Sequence, residues 1–492
     1  MISFICKTLQ SFRFVFSRTT TWILFCSVVL GFIGANEMVG ITSFCRFYSV
    51  DEGGYNAFIH FFRCSSWSLA AVMLHWEKFV LLQNKAVLID ERVIMLGDHT
   101  YVPKDGRRMP GVVTLRQNSE TQSKPSYFRG HCWGAICLLV GSFTTPFCLP
   151  LILSLHQGHV HIGTGNTKNE NKQTLVTRIV QTALDISIRN GLPGILILDA
   201  YFPAGVAFKL SNSVWSIALK QPLMTLIIRA KKNYVAYLPA DISKKEGPGR
   251  PRKYGEKVKL MEVFDQEQLF QKVVCTIYGK TEEVLILTAD LFWKPSCSLI
   301  RFVFAMTSRG PIVLMCSDLT MSPINALELY SKRIRIETMF DMLKNLLCVF
   351  RYRFWTKKLP AESRKPKKNK KLKNPPTTSL PTIKKCWDAY EKFVMLGVIS
   401  LGLLQLISLK FSESVWNQFS GFLRSRSRDI PSERTTKIVI SNLLAMNFSS
   451  FALTGILLKI QDYFIRKKYP NKNIDKNTVW KHMNLDSNKL IF

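Results

Sequence analysis

Residues 326–344 read ALELYSKRIRIETMFDMLK. Leu327, Ile334, Ile336, Met339, Phe340 and Leu343 recur at roughly helical spacing, with no Gly or Pro inside, which predicts one amphipathic helix. Tyr330, Arg333, Glu337 and Lys344 fall at steps of three, four and seven and so share its polar face. One acid among several cations suits a divalent metal held by Glu337 and phosphates held by Arg333 and Lys344. A plain surface helix is the competing reading.

Working outward, a metal-binding Glu needs partner acids. Residues 92–98, RVIMLGD, form a short apolar run ending in an acid, which predicts the first strand of a buried sheet with Asp98 at its exit. A strand-end carboxylate is fixed by the sheet yet reaches a solvated cleft, as a metal ligand must. Thr100 is placed to brace it. Asp90, before the strand, and Asp105, in the following turn, are rivals. The runs 131–140 and 147–155 suit second and third strands, antiparallel to the first, with Gly130-His131 opening the second in a structural role. A helix over 171–190 then leads, past Gly191, to the strand Ile195–Leu198 and Asp199. A strand, a helix and a parallel strand ending in Asp199 would bring the two acids side by side. An Asp capping a helix that starts near Phe202 is also sound, and both roles can hold at once. Asp318 also follows an apolar strand, 19 residues before Glu337, and is a further rival.

The spacing Tyr-x2-Arg-x3-Glu-x6-Lys resembles the signature of bacterial insertion-sequence transposases of the DDE class, in the subgroup named for that Tyr-Arg-Glu-Lys (YREK) pattern. Asp-x-Thr at 98–100 and Asp-x-Tyr-Phe at 199–202 are similar to that family's two catalytic Asp positions. The resemblance implies an α/β fold: a ribonuclease-H-like mixed sheet flanked by helices and interrupted by a β-rich insertion, with helical N- and C-terminal regions. It implies that Asp98, Asp199 and Glu337 hold two Mg²⁺ ions, for which Mn²⁺ can substitute. Tyr330, Arg333 and Lys344 would clamp DNA. The implied activity is cleavage of transposon inverted-repeat ends and their transfer to target DNA, by a homodimer in a synaptic complex on double-stranded DNA. The expected place is a bacterial cytoplasm, beside the nucleoid. The intervals agree: 101 positions separate Asp98 from Asp199, and 138 separate Asp199 from Glu337, room for an insertion.

The domain reading is as follows. Residues 1–88 form a helical region, with helices at 55–63 and 67–80, the second capped by Ser65 or Ser66, and grip end DNA or merely pack. Residues 89–231 hold the first part of the catalytic domain, ending in the strand 224–229. The insertion covers 232–310, with strands at 258–264, 273–278, 284–289 and 300–306. Residues 311–351 complete the catalytic domain, with a strand at 311–317. A basic disordered linker covers 352–384, and helices fill 385–492.

Sixty-seven Lys and Arg against thirty-four Asp and Glu give +33, which points to nucleic acid or an anionic membrane. The densest run, 357–374, cannot build a core and suits salt-dependent contact with DNA. GPGRPRKYG at 247–255 offers Arg250 and Arg252 to phosphates or an A·T minor groove. Trp293 is a candidate for stacking on a flipped base, with core packing as its alternative. His156, His159 and His161 cluster, but in a Gly-flanked loop. Twelve Cys show no zinc spacing, which suits reduced, buried thiols. The apolar segments 22–35 and 393–409 imitate a signal peptide and a span, and are read as buried helices, with no membrane partner. The rival functions are an inactive DNA-binding descendant and a polybasic membrane protein.

Overall fold

The computed structural model describes residues 1–116, 126–156, 174–217, 220–240, 252–365, 377–423, 428–448 and 455–468. The N-terminal region is helical: α1 (Ile2–Ser11), α2 (Thr19–Gly34), α3 (Ile41–Phe47), α4 (Glu52–Arg63) and α5 (Leu69–Leu81). The oxygen of Ser68, not Ser65 or Ser66, caps α5 by accepting from the Ala71 N–H. Ser68 is the residue directly before the first helical turn, where side-chain oxygens serve unpaired backbone donors.

Next come β1 (Leu88–Ile89), β2 (Arg92–Pro103), β3 (Val113–Arg116), β4 (Tyr127–Val140) and β5 (Phe147–Leu155). Helix α6 (Leu175–Asn190) is capped by Thr174 and ends on Gly191, whose φ of 62° gives the left-handed stop that glycine adopts without strain. It leads into β6 (Gly194–Leu198), α7 (Gly205–Ser211), the small pair β7 (Trp215–Ser216) and β8 (Gln221–Pro222), and β9 (Met224–Arg229). The sheet continues through β10 (Val235–Pro239), β11 (Tyr254–Lys259), β12 (Gln271–Ile277), β13 (Lys280–Trp293), β14 (Ser298–Thr307) and β15 (Gly310–Cys316). Residues 262–264, the end of the strand expected over 258–264, lie in a tight 3-10 turn, Glu262–Asp265, instead.

Strands β2, β6 and β9 run parallel and adjacent, while β4 pairs antiparallel with β2 and β5 with β4. The result is a mixed α/β architecture consistent with a ribonuclease-H-like domain. The insertion is not set apart from this sheet. β15 pairs antiparallel with β9, β14 with β15 and β13 with β14, so one thirteen-stranded sheet runs through both parts.

Helices α8 (Pro323–Ser331) and α9 (Ile334–Asp341) replace the single helix expected over 326–344, and a π-turn covers Met342–Leu346. Between the two helices the Arg333 N–H reaches the Tyr330 carbonyl and the Arg335 N–H that of Lys332, bonds of three-residue span. Such tightening rotates the later residues. Ile334, assigned to the apolar face, is therefore half exposed, while Tyr330, assigned to the polar face, is buried.

The last elements are α10 (Leu380–Lys410), α11 (Ser412–Gln418), α12 (Glu433–Phe448) and α13 (Gly455–Lys468). Helix α10 packs on β5 and on α2. Among the described residues it is the one helix long and apolar enough to cross a membrane, and 94% of its most apolar window is buried inside the protein. Helix α2 is likewise buried along nearly its whole length. Each such Leu, Ile or Phe contributes about 1.5–3 kcal/mol of burial. All twelve cysteines are free thiols.

Candidate active site: three carboxylates around Arg333

The parallel register sets two of the acids. Leu96 of β2 pairs with Ile197 of β6. Two residues further along each strand come Asp98 and Asp199, on the same face of the sheet because side chains alternate with period two. Asp98 is not at a strand exit: β2 runs on to Pro103, and Asp98 pairs with Ala135 of β4. The strand continues because β4 supplies partners for all of 95–103. Asp199 does stand directly after β6. It caps no helix, since α7 begins at Gly205 after Ala204.

Each Asp is oriented by the next backbone N–H. His99 donates to Oδ1 of Asp98 at 2.7 Å and Ala200 to Oδ1 of Asp199 at 2.6 Å. Asp98 is thus braced by backbone and by Arg333, rather than by the expected Thr100 hydroxyl.

The third acid arrives from α9. The Arg333 guanidinium, at the head of that helix, lies 3.0 Å from Oδ2 of Asp98, 3.1 Å from Oε1 of Glu337 and 3.9 Å from Oδ2 of Asp199. Burial opposes its charge, but Asp199, Asp98, the Tyr330 hydroxyl and Glu337 outweigh that and raise its pKa. Burial pushes the Asp98 carboxyl up to about 6, against the pull of Arg333 and the His99 N–H, and Asp199 and Glu337 add to the rise.

Among the described residues no three His, Cys, Asp or Glu side chains are grouped to hold a metal ion as they stand. The guanidinium supplies the positive charge that the carboxylates share. Their chemistry still fits a divalent cation: all three are hard oxygen donors, and Asp199 and Glu337 keep exposed carboxylates for water and substrate.

The other expected residues divide. Tyr330 is buried, and burial and then Asp199 raise its hydroxyl pKa. Lys344 sits in the π-turn and lines a cleft of about 1020 Å³. Arg252 is exposed just before β11, at the far end of the sheet from β2. Arg250, His159, His161 and the run 366–374 lie outside the described residues. Trp293 is buried against Phe208 and Tyr234, a core position. Asp318 belongs to another place: with Arg92, the first residue of β2 and six positions before Asp98, it forms an ion pair of 2.7 Å. Asp90 pairs with the same Arg92.

One residue beside the site gave no signal in the sequence. His99 stacks on Phe202 and hydrogen-bonds His156 at 3.0 Å. Burial lowers its pKa to about 4, so the ring is neutral. A lone His after an acid has no spacing that would single it out.

A family model described as DDE superfamily endonuclease matches residues 38–284, half of the chain, spanning Asp98 and Asp199 and ending before Glu337. No curated protein matches the chain. With both sheet acids inside the matched segment and a large mixed sheet carrying them, the chain belongs to the DDE superfamily endonuclease family.

Proposed function

We propose that this protein is a DNA transposase of the YREK subgroup, carried by an insertion sequence. A single observation supports this above the rest: acids 98, 199 and 337, distant in the chain, gather around Arg333 within 4 Å. Asp98, Asp199 and Glu337 would hold the Mg²⁺ ions. When bound, the metal supplies activation of the attacking oxygen and neutralises charge on the phosphate.

The chain's own residues do the rest. The parallel register fixes the two Asp at one level of neighbouring strands. Arg333 would offer its charged fork to a terminal phosphate. Lys344, seven residues beyond Glu337, lines a basic cleft where it would hold DNA phosphates. Tyr330 is buried, so its part in holding DNA would pass through its electrostatic neighbours Asp199 and Arg333. The substrate is double-stranded DNA with inverted-repeat ends, the working form a homodimer, and the setting a bacterial cytoplasm.

The decisive test is Glu337→Gln, assayed on duplexes carrying the element's own ends with Mg²⁺. Cleavage should vanish while end binding persists. Unchanged cleavage would falsify the assignment.

A further inference from the structure

The cleft of about 1020 Å³ that Lys344 lines is walled by the loop after β2 and by the segment after the π-turn. Its described lining carries seven Lys and Arg and one acid, Asp105. The second wall reads Phe350-Arg351-Tyr352-Arg353-Phe354-Trp355, and its burial alternates residue by residue. Phe350, Tyr352 and Phe354 face the core, while Arg351, Arg353 and Trp355 face out, Trp355 at 49% exposure. Such alternation in an extended chain spaces the outward side chains about 6.7 Å apart. That suits successive nucleotides of one strand.

The wall is fixed from behind. The Tyr352 hydroxyl accepts from Trp133 Nε1 at 3.0 Å and bonds His131 Nδ1 at 2.6 Å. The buried Lys104 ammonium donates to the carbonyls of Phe350 at 2.5 Å and Tyr352 at 3.2 Å. The two walls are tied as well: Thr356 N–H donates to the Arg108 carbonyl and Glu362 N–H to that of Arg107. An exposed indole following two exposed arginines, on a backbone held this firmly, is a preformed surface.

We propose that this cleft binds a single strand of DNA, with Trp355 stacking on an unpaired base and Arg351 and Arg353 on its phosphates. A duplex offers no free base face to the indole, so the unpaired strand is the better fit. The inference deepens the DNA-processing reading and rests on it: Lys344, seven residues beyond Glu337 in the chain, lines this cleft.

The test uses the full chain in EDTA, with a fluorescent oligothymidylate and a duplex of equal length as probes. Trp355→Ala should weaken oligothymidylate binding about tenfold, the loss of one stacked base, and leave duplex binding within twofold. Trp355→Phe should restore most of it. Arg351→Ala with Arg353→Ala should reduce the salt slope for the single strand by about 1.4. Lys272→Ala, on exposed β12, should change neither. Equal losses for both probes, or none for the single strand, would overturn the proposal. Because no metal is present, the result is independent of Glu337→Gln: cleavage by that variant would sink the catalytic reading and leave the groove standing.

Discussion

Arg333 Nη1 stands 3.0 Å from Oδ2 of Asp98, joining the first turn of a helix to the middle of a strand 235 residues earlier in the chain. The contact fastens α9 over the face of the sheet that carries both Asp. It also sets two roles against each other, because the cation neutralising Asp98 occupies the space where a metal would work.

Removing that cation should therefore destabilise the protein until a metal replaces it. Arg333→Met keeps the side chain's bulk and leaves Asp98 buried beside two other acids. A loss of about 3 kcal/mol is expected, the usual cost of stranding one member of a buried ion pair. Thermal unfolding with and without Mg²⁺ checks it. Mg²⁺ should recover more stability in Arg333→Met than in the wild type, and an equal gain in both would refute the competition.

The same logic separates the rival acid. Arg92 and Asp318 are nearly buried and 2.7 Å apart. Asp318→Asn should cost about 3 kcal/mol of stability. At a temperature where the variant is folded, cleavage of end DNA should stay within about threefold of wild type. A loss as complete as that of Asp199→Asn would move the second catalytic position to Asp318.

Glu391 of α10 offers a pH dependence. Its side chain accepts from the Leu155 N–H at 3.1 Å, and burial lifts its pKa from 4.5 to about 7. The unfolded chain loses this proton near pH 4.5, whereas the folded chain keeps it to about 7, so the native state binds more protons between. Stability then falls as pH rises through that window and levels off above it. Glu391→Gln should remove this component, on the order of 3 kcal/mol at pH 8. Denaturant titrations from pH 4.5 to 8 measure it, and parallel curves for the two proteins would disprove it.

Gly205 opens α7 directly against the turn between β13 and β14. A Cβ there would fall within the carbonyl of Pro295, which is backbone and cannot rotate aside. Gly205→Ala should destabilise by about 1–3 kcal/mol. Since α7 follows Asp199, the variant should also lower end cleavage at temperatures well below melting.

What could be read from the residues was mostly what local pattern controls. The run 195–198 and its Asp, the helix ending at Gly191 and the burial of 22–35 and 393–409 all follow from periodicity and turn chemistry. The interval of 101 residues between Asp98 and Asp199 equals the offset of the parallel register. What escaped depends on tertiary partners. β2 outlasts Asp98 because β4 extends beside it. The predicted helix over 326–344 breaks at Lys332, which is buried with its ammonium over the Phe143 ring. The alternation at 350–355 is visible in the letters, but only the wall behind it reveals which side faces outward.

Helix α10 lies on β5, although more than two hundred residues of chain separate them. On a ribosome, the apolar side of β5 must wait for the synthesis of 380–410 before it is covered. Nascent chains are therefore sticky for most of their time in translation, and a product cut short before α10 would leave its sheet open to aggregation or proteolysis.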